Sequence, residues 1–375
     1  MRIEALTARC FRNLTAVDFT VAAPTVVLIG QNGQGKTNLL EALYLCATGR
    51  SFRHAAAREM LQHGSVAASV SCELQRQGVR HTVAAKLGPK SRTLRVDDRA
   101  LRHQAMLLEL VNMVAFFPDD LHIAKGGPEG RRRFLDRAVA GCRPDFVRAT
   151  LDYHRALKAR NALLRGPTSP DRALLGVYDE QLVRFGTVMH AARREVLGSL
   201  RPAARTFFAE MMPEVGELAL GLHSGVPTPT SSTPSTSVED SFGEVFAAAL
   251  QCGYPRDRAR GMTLVGPHRA DLLCALGGQD ARHFASQGQQ RAMVLAMKLA
   301  EVVHVKRKLG APPILLLDDV SSELDAERTR LLFQVVQRVE SQVFVSTTGH
   351  VPLPICGATQ IVRVQRGAIL SETAL

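Results

Sequence analysis

Eight residues near the start of the chain have the types and spacing of a phosphate cradle: Gly30-Gln31-Asn32-Gly33-Gln34-Gly35-Lys36-Thr37. Glycines let backbone N–H groups turn inward around phosphate oxygens, and the start of a helix adds positive potential at the same point. Lys36 can reach β- and γ-phosphates, and the Thr37 hydroxyl can ligate Mg²⁺. With Asn38 at its end, the stretch 30–38 is the candidate nucleotide-binding loop. Far along the chain, Ile314-Leu315-Leu316-Leu317 is apolar and ends in Asp318-Asp319. That pair reads as the acidic end of a Walker B strand, with Asp318 to hold Mg²⁺ and Asp319 to orient the attacking water. Catalysis is therefore assigned to Lys36, Asp318 and Asp319. A third candidate is Ser286-Gln287-Gly288-Gln289-Gln290-Arg291, where a hydroxyl, a glycine and a helix start make a second anion site. An ordinary helix cap is its plain rival.

These groups need elements to position them. Thr25–Ile29 is a β-rich apolar run that ends in the glycine loop, and a helix from Thr37 to about Cys46 follows it. Ile3–Cys10 and Val17–Val21 read as strands around a turn at Arg12-Asn13, and 66–96 reads as antiparallel strands. From Asp119 to about Glu217 the apolar spacing becomes helical, with Gly166-Pro167 and Pro202 expected to break it into several helices. Gln287 to about Leu309 is another helix, stopped by Pro312-Pro313. Val343–Val345 is a second apolar strand. Pro227–Ser237, within a low-complexity loop at about 224–241, has no apolar residue to bury.

Strands alternate with helices at both chain ends, around a helical middle. The expected fold class is α/β, with a discontinuous head (1–118 and 281–375) and an inserted helix-rich lobe (119–280).

Ser286 and Asp318 lie 32 residues apart, separated by one helix and a proline stop. That matches the signature motif and Walker B strand of ABC-type ATPases, and Ser321-Ser322-Glu323-Leu324-Asp325 looks like a D-loop. Other segments narrow the pattern: Phe11-Arg12-Asn13-Leu14, Gly49-Arg50-Ser51-Phe52-Arg53, Phe117-Pro118-Asp119-Asp120-Leu121, Arg132-Arg133-Phe134-Leu135-Asp136 and Gly266-Pro267-His268-Arg269 with Asp271. Nearly end to end, the series resembles the bacterial RecF family. The resemblance implies an ABC/SMC-type P-loop ATPase head without the long coiled coil, binding ATP and Mg²⁺. It implies two heads closing over two ATP molecules, with Ser286, Gly288 and Gln289 of one copy touching the γ-phosphate held by Lys36 of the other. It also implies DNA binding at duplex and gap junctions, work with RecO and RecR, and help in loading RecA during gap repair, replication and the SOS response. Asp319 stands where transporters have Glu, so slow hydrolysis is expected. His350 reads as a loop residue, and Asp119-Asp120 sit where the head passes into the insertion.

Composition agrees with a polyanionic partner. The formal net charge is +12, and the two head segments carry +10 of it. Within the head, Arg92, Arg95, Arg99 and Arg102 are the candidate DNA contacts, with a solvated basic surface as the alternative. No apolar run is long enough to span a bilayer, and the charged start is no signal peptide. Seven scattered cysteines without a CxxC pair indicate a reducing compartment and no zinc site, so a cytoplasmic location is expected. A transporter subunit would place the signature closer to the P-loop, and a long-armed SMC head would show heptads. An ABC-type ATPase of another DNA-repair or SMC-like complex is the remaining alternative.

Overall fold

The computed structural model describes residues 1–53, 55–101, 107, 110–168, 170–227, 238–319, 324–349, 354 and 357–374. Its contacts divide the chain into two compact units: Met1–Asp120 with Leu295–Leu375, and Leu121–Val294. The first boundary falls two residues from the expected one. The second falls inside the helix that follows Ser286, so the first two turns of that helix belong by contact to the insertion.

The chain opens with β1 (Arg2–Phe11) and β2 (Leu14–Thr20), an antiparallel hairpin that buries Ile3, Leu6, Ala8 and Phe11, with the alternation of β1 shifted by an irregularity between Ile3 and Ala5. Strand β3 (Thr25–Ile29) leads through the glycine loop into α1 (Lys36–Thr48). Apolar on almost every side, α1 is a core helix rather than a surface one. Strands β4 (Ala68–Arg76), β5 (Val79–Gly88), β6 (Ser91–Val96) and β7 (Arg99–Ala100) extend the hairpin into an antiparallel sheet of order β2-β1-β4-β5-β6-β7. Strand β8 (Met113–Phe116) ends the first head segment.

The insertion carries α2 (Pro128–Ala140), α3 (Pro144–Arg165), α4 (Arg172–Met211), β9 (Leu218–His223), α5 (Val238–Arg260), β10 (Asp271–Leu276) and β11 (Gln279–Asp280). Proline starts both α2 and α3, where its missing N–H costs nothing. Pro202, expected to break a helix, instead lies inside the 40-residue α4. Leu197, Leu200, Ala204, Phe207 and Phe208 are buried on both sides of it, and this packing outweighs the lost backbone bond. The insertion also holds a three-stranded sheet of order β11-β10-β9. Its deepest charge is Arg160, which bonds Asp179, Asp257 and Thr263 at 2.6–2.8 Å with no exposed side-chain surface. The tract at 228–237 lies outside the described residues.

The second head segment supplies α6 (Gln287–Leu309), β12 (Ile314–Leu317), α7 (Ala326–Val339), β13 (Val343–Thr347), β14 (Thr359–Gln365) and β15 (Ala368–Ala374). The head's second sheet has the order β15-β14-β3-β13-β12-β8, parallel except for β15. Its inner strands β12 and β13 are buried at every residue, which explains the apolar runs Ile314–Leu317 and Val343–Val345. Two buried glutamines tie the head's sheets together. Gln342 exchanges two hydrogen bonds with the Ile3 backbone, and Gln360 bonds the backbone of Thr20 and Ala22.

Candidate functional site

The glycine loop runs from the end of β3 into α1, as its spacing requires. Gly35 has φ +111°, and a Cβ there would lie 2.9 Å from Asn13 Oδ1, so only glycine fits. The loop is pinned from outside. The Gln34 carbonyl accepts the Gly367 N–H at 2.8 Å, and Gln34 Oε1 accepts the Arg366 N–H at 2.8 Å. Gln31, Asn32 and Gly33 are exposed, whereas Gly35 and Lys36 are buried. Lys36 Nζ donates to the carbonyls of Gly30 (2.6 Å) and Gln31 (2.9 Å), which holds the ammonium against the loop. Burial lowers its pKa, and the negative charges of Asp319 and Asp318 oppose that shift.

The acidic strand end meets this loop. Thr37 Oγ1 donates to Asp318 Oδ1 at 2.9 Å, joining residues 281 positions apart. Ser346 Oγ, on β13, donates to the same oxygen at 2.7 Å and accepts the Asp319 N–H at 2.9 Å. Burial raises the Asp318 pKa, while the Ser346 and Thr37 hydroxyls pull it down. Asp319 has φ +50°, a strained conformation for an aspartate that fixes the direction in which the chain leaves β12. The Thr37 hydroxyl and the Asp318 carboxylate are hard oxygen donors within hydrogen-bond distance of each other, a donor set that fits Mg²⁺.

A buried charge network backs the loop, and sequence reasoning gave it no role. Glu41, fully buried on α1, accepts Arg12 Nε (3.0 Å), Arg12 Nη2 (2.8 Å) and Ser51 Oγ (2.5 Å). Arg53 lies 3.5 Å from the same carboxylate and donates to Asn38 Oδ1 at 3.0 Å. Asn38 donates in turn to Asn13 Oδ1 at 2.8 Å. The Arg12-Asn13 segment is therefore more than a turn, because both side chains brace the first turn of α1. The signal was present: Glu41 interrupts the run Leu39-Leu40-Glu41-Ala42-Leu43, and a carboxylate in such a run needs a buried partner.

Ser286 caps α6. Its hydroxyl accepts the Gln289 N–H at 3.3 Å, and Gln289 Oε1 accepts the Ser286 N–H at 2.8 Å, a reciprocal capping box. Gly288 and Gln289 are half-buried, and Ser286 is exposed. Asp325 caps α7 through the Arg328 N–H, whereas Ser321, Ser322 and Glu323 lie outside the described residues, as does His350. Lys298, buried on α6, donates to the Ala115 carbonyl at 2.9 Å and lies 3.5 Å from Asp120.

Among the described candidate DNA contacts, Arg92, Arg95 and Arg99 do not share a face. Register sets Arg92 opposite Leu87, and Arg99 opposite Val96, on the side of the sheet that buries Val83, Ala85 and Leu87. Arg95 lies opposite Ala84 on the other side, and its guanidinium bonds the Asp98 carbonyl. Reading the arginines as a charge count missed this alternation. Arg102 lies outside the described residues.

Comparison with known proteins agrees with this arrangement. The family model for the RecF/RecN/SMC N terminal domain matches residues 2–368. A DNA replication and repair protein RecF from Myxococcus xanthus is 40% identical over 348 residues, covering 93% of this chain and 91% of the relative. The chain belongs to the RecF family. The Geobacter sulfurreducens RecF is 36% identical over 371 residues, covering 98% of this chain and 99% of the relative. The solved structure of the recombination mediator protein RecF–ATP, of the RecFOR pathway, superposes with a TM-score of 0.87 at 26% identity, covering 100% of this chain and 97% of that one. A Smc head bound to the C-winged helix domain of ScpA shares the fold, at a TM-score of 0.56 and 14% identity over 100% of this chain and 98% of that one. The α/β ABC/SMC-type ATPase head is therefore the fold class of this chain. Among the described residues, no helix is long and apolar enough to cross a membrane, and no cluster of three or more His, Cys, Asp or Glu forms a metal centre.

Proposed function

We propose that this chain is an ATP-driven switch that closes as a homodimer on DNA during recombinational repair, in the cytoplasm. The observation that carries the reading is the pair of hydroxyls, Thr37 and Ser346, converging on Asp318, because it puts the phosphate cradle and the acidic strand end in one site. Thr37 and Asp318 would hold Mg²⁺, which when bound neutralises charge between β- and γ-phosphate oxygens. Lys36 neutralises the same oxygens from the loop side. Asp319 orients the water whose oxygen attacks the γ-phosphorus, while the bond to the bridging oxygen breaks and ADP leaves with that electron pair. A shorter acid than glutamate reaches less far toward the water, which supports slow turnover suited to a switch.

Ser286, Gly288 and Gln289 of a second copy complete the site. ATP supplies the anion between two positive helix starts, so closure depends on nucleotide and hydrolysis releases it. The RecF relatives are DNA replication and repair proteins, and the RecF–ATP structure comes from the RecFOR pathway, which supports RecO and RecR as partners and RecA loading as the outcome. Arg92 and Arg99, both exposed and on the same side of the sheet, are the head residues proposed to meet DNA.

Sedimentation of wild type and Lys36→Ala, with and without ATP and gapped DNA, tests the reading. Wild type should dimerise only with ATP and bind gapped DNA more tightly as a dimer, and Lys36→Ala should stay monomeric. A wild-type monomer indifferent to ATP overturns it. A steady-state rate like that of a fast motor ATPase overturns the switch.

A further inference from the structure

The turn Gly266-Pro267-His268-Arg269 in the insertion is braced from every side. Gly266 has φ +129°, and a Cβ there would lie 2.6 Å from Tyr153 Oη and 2.7 Å from the Phe246 ring, so the turn is wedged against two buried aromatics. Arg193, itself buried, donates to the Pro267 carbonyl at 2.7 Å and grips Asp136 with both arms at 2.7 and 2.9 Å. Asp136 is therefore engaged by Arg193. Arg132 donates to the Ala270 carbonyl at 2.7 Å. Arg131 holds Asp271, the next residue, through two bonds at 2.7–2.8 Å. His268 is bonded at both ring nitrogens, to Tyr153 Oη (2.7 Å) and the Thr263 carbonyl (3.1 Å).

All this fixes a three-residue turn whose outward group is one guanidinium. Arg269 is exposed, and among the described residues its guanidinium has no hydrogen bond or ion pair. Arg132 bonds the neighbouring Ala270 carbonyl, and the carboxylates that act on its charge, Asp271, Asp136 and Glu129, each pair with another arginine. Four arginines meet two aspartates here, and both aspartates are already engaged by Arg131 and Arg193. Nearby Glu129 pairs with Arg133. The excess of two positive charges therefore falls on Arg132 and Arg269, held on a rigid base. Guanidinium groups in excess over the carboxylates fit phosphate oxygens, which accept their N–H groups as a planar fork.

We propose that Arg269 and Arg132 form a phosphate-contact site for the DNA backbone, distinct from the arginines of the head. The proposal rests on the DNA-binding reading above. A backbone phosphate is favoured as occupant because the pair offers donors and positive charge, which phosphate oxygens accept whatever the base sequence.

Binding of labelled gapped DNA across a salt series, with and without ATP, tests it on wild type, Arg269→Ala, Arg269→Lys and Arg133→Ala. Arg269→Ala should weaken binding on the order of tenfold and lower the slope of log affinity against log salt by about 1, with or without ATP. Arg269→Lys should restore the slope and only part of the affinity, and Arg133→Ala should match wild type. Equal affinity and slope for Arg269→Ala and wild type overturn the proposal and leave the DNA reading standing. Loss of ATP-driven dimerisation alone, with DNA binding intact, also overturns it, because the phosphate would then be the nucleotide's. A wild type that binds no DNA overturns both readings.

Discussion

Below neutral pH, His268 should become the weak point of the insertion. The Thr263 carbonyl can only accept, so Nε2 carries the ring proton and Nδ1 accepts from the Tyr153 hydroxyl. Burial pushes the Tyr153 pKa up, which keeps that hydroxyl a donor. A second ring proton would have to displace it. Burial lowers the His268 pKa to about 4, the Thr263 carbonyl opposes the shift, and the charges of Arg269, His154 and Arg132 add to it. The ordinary value in an unfolded chain is about 6.5. Between these values the unfolded state binds more protons, so stability is full above pH 6.5 and is lost as pH falls toward 4. The loss between pH 7.5 and 5 comes to about 2 kcal/mol. Urea unfolding at a series of pH values, on wild type and His268→Gln, isolates this contribution, because Gln can accept from Tyr153 and donate to Thr263 without titrating. The stability difference between the two proteins should shift by that amount across the interval. Parallel curves would refute the assignment of a neutral, doubly bonded His268.

Other perturbations should separate the rest of the architecture. Glu41→Ala leaves Arg12 without its buried acceptor and should cost about 3–5 kcal/mol in urea unfolding, with weaker ATP binding by fluorescence titration as the first turn of α1 loosens. Arg160→Ala strands the fully buried Asp257 and should cost a similar ~3–5 kcal/mol, part of which Arg160→Met with Asp257→Leu should restore. Arg92→Ala with Arg99→Ala should flatten the salt dependence of DNA binding by about 2 in slope, while Arg95→Ala, on the other face, should change it little. Equal slopes in all three proteins would mean that this charge is only a solvated surface.

Much of the head was legible because its signals are local. A β-rich run, a glycine loop and an apolar helix follow one another within residues 25–48, so β3, the phosphate cradle and α1 could be read directly. Asp318 was readable from the strand before it, and Ser286 from the helix after it. What escaped depends on partners distant in sequence. Ser346 looks like any polar residue at a strand end until Asp318 meets it. Glu41 finds Arg12 across 29 residues, and Ser51 and Arg53 beyond the end of α1. Pro202 was misread because local propensity favours a break there, and the packing that overrides it comes from the insertion's core. The candidate DNA arginines turn on a finer point: residues counted together on β6 and β7 are sorted by the pleat onto opposite sides.

The strand order of the parallel sheet also sets a timetable for synthesis. Strand β3, with the phosphate cradle at its end, lies between β13 and β14, which are made more than 300 residues later. During translation the antiparallel sheet can close within its first hundred residues, and the insertion is one continuous segment able to fold by itself as it emerges. The ribosome therefore presents a cradle whose flanking strands do not yet exist, and β3 must stay unpaired until the chain returns. Nucleotide capture is therefore the last competence the nascent protein acquires.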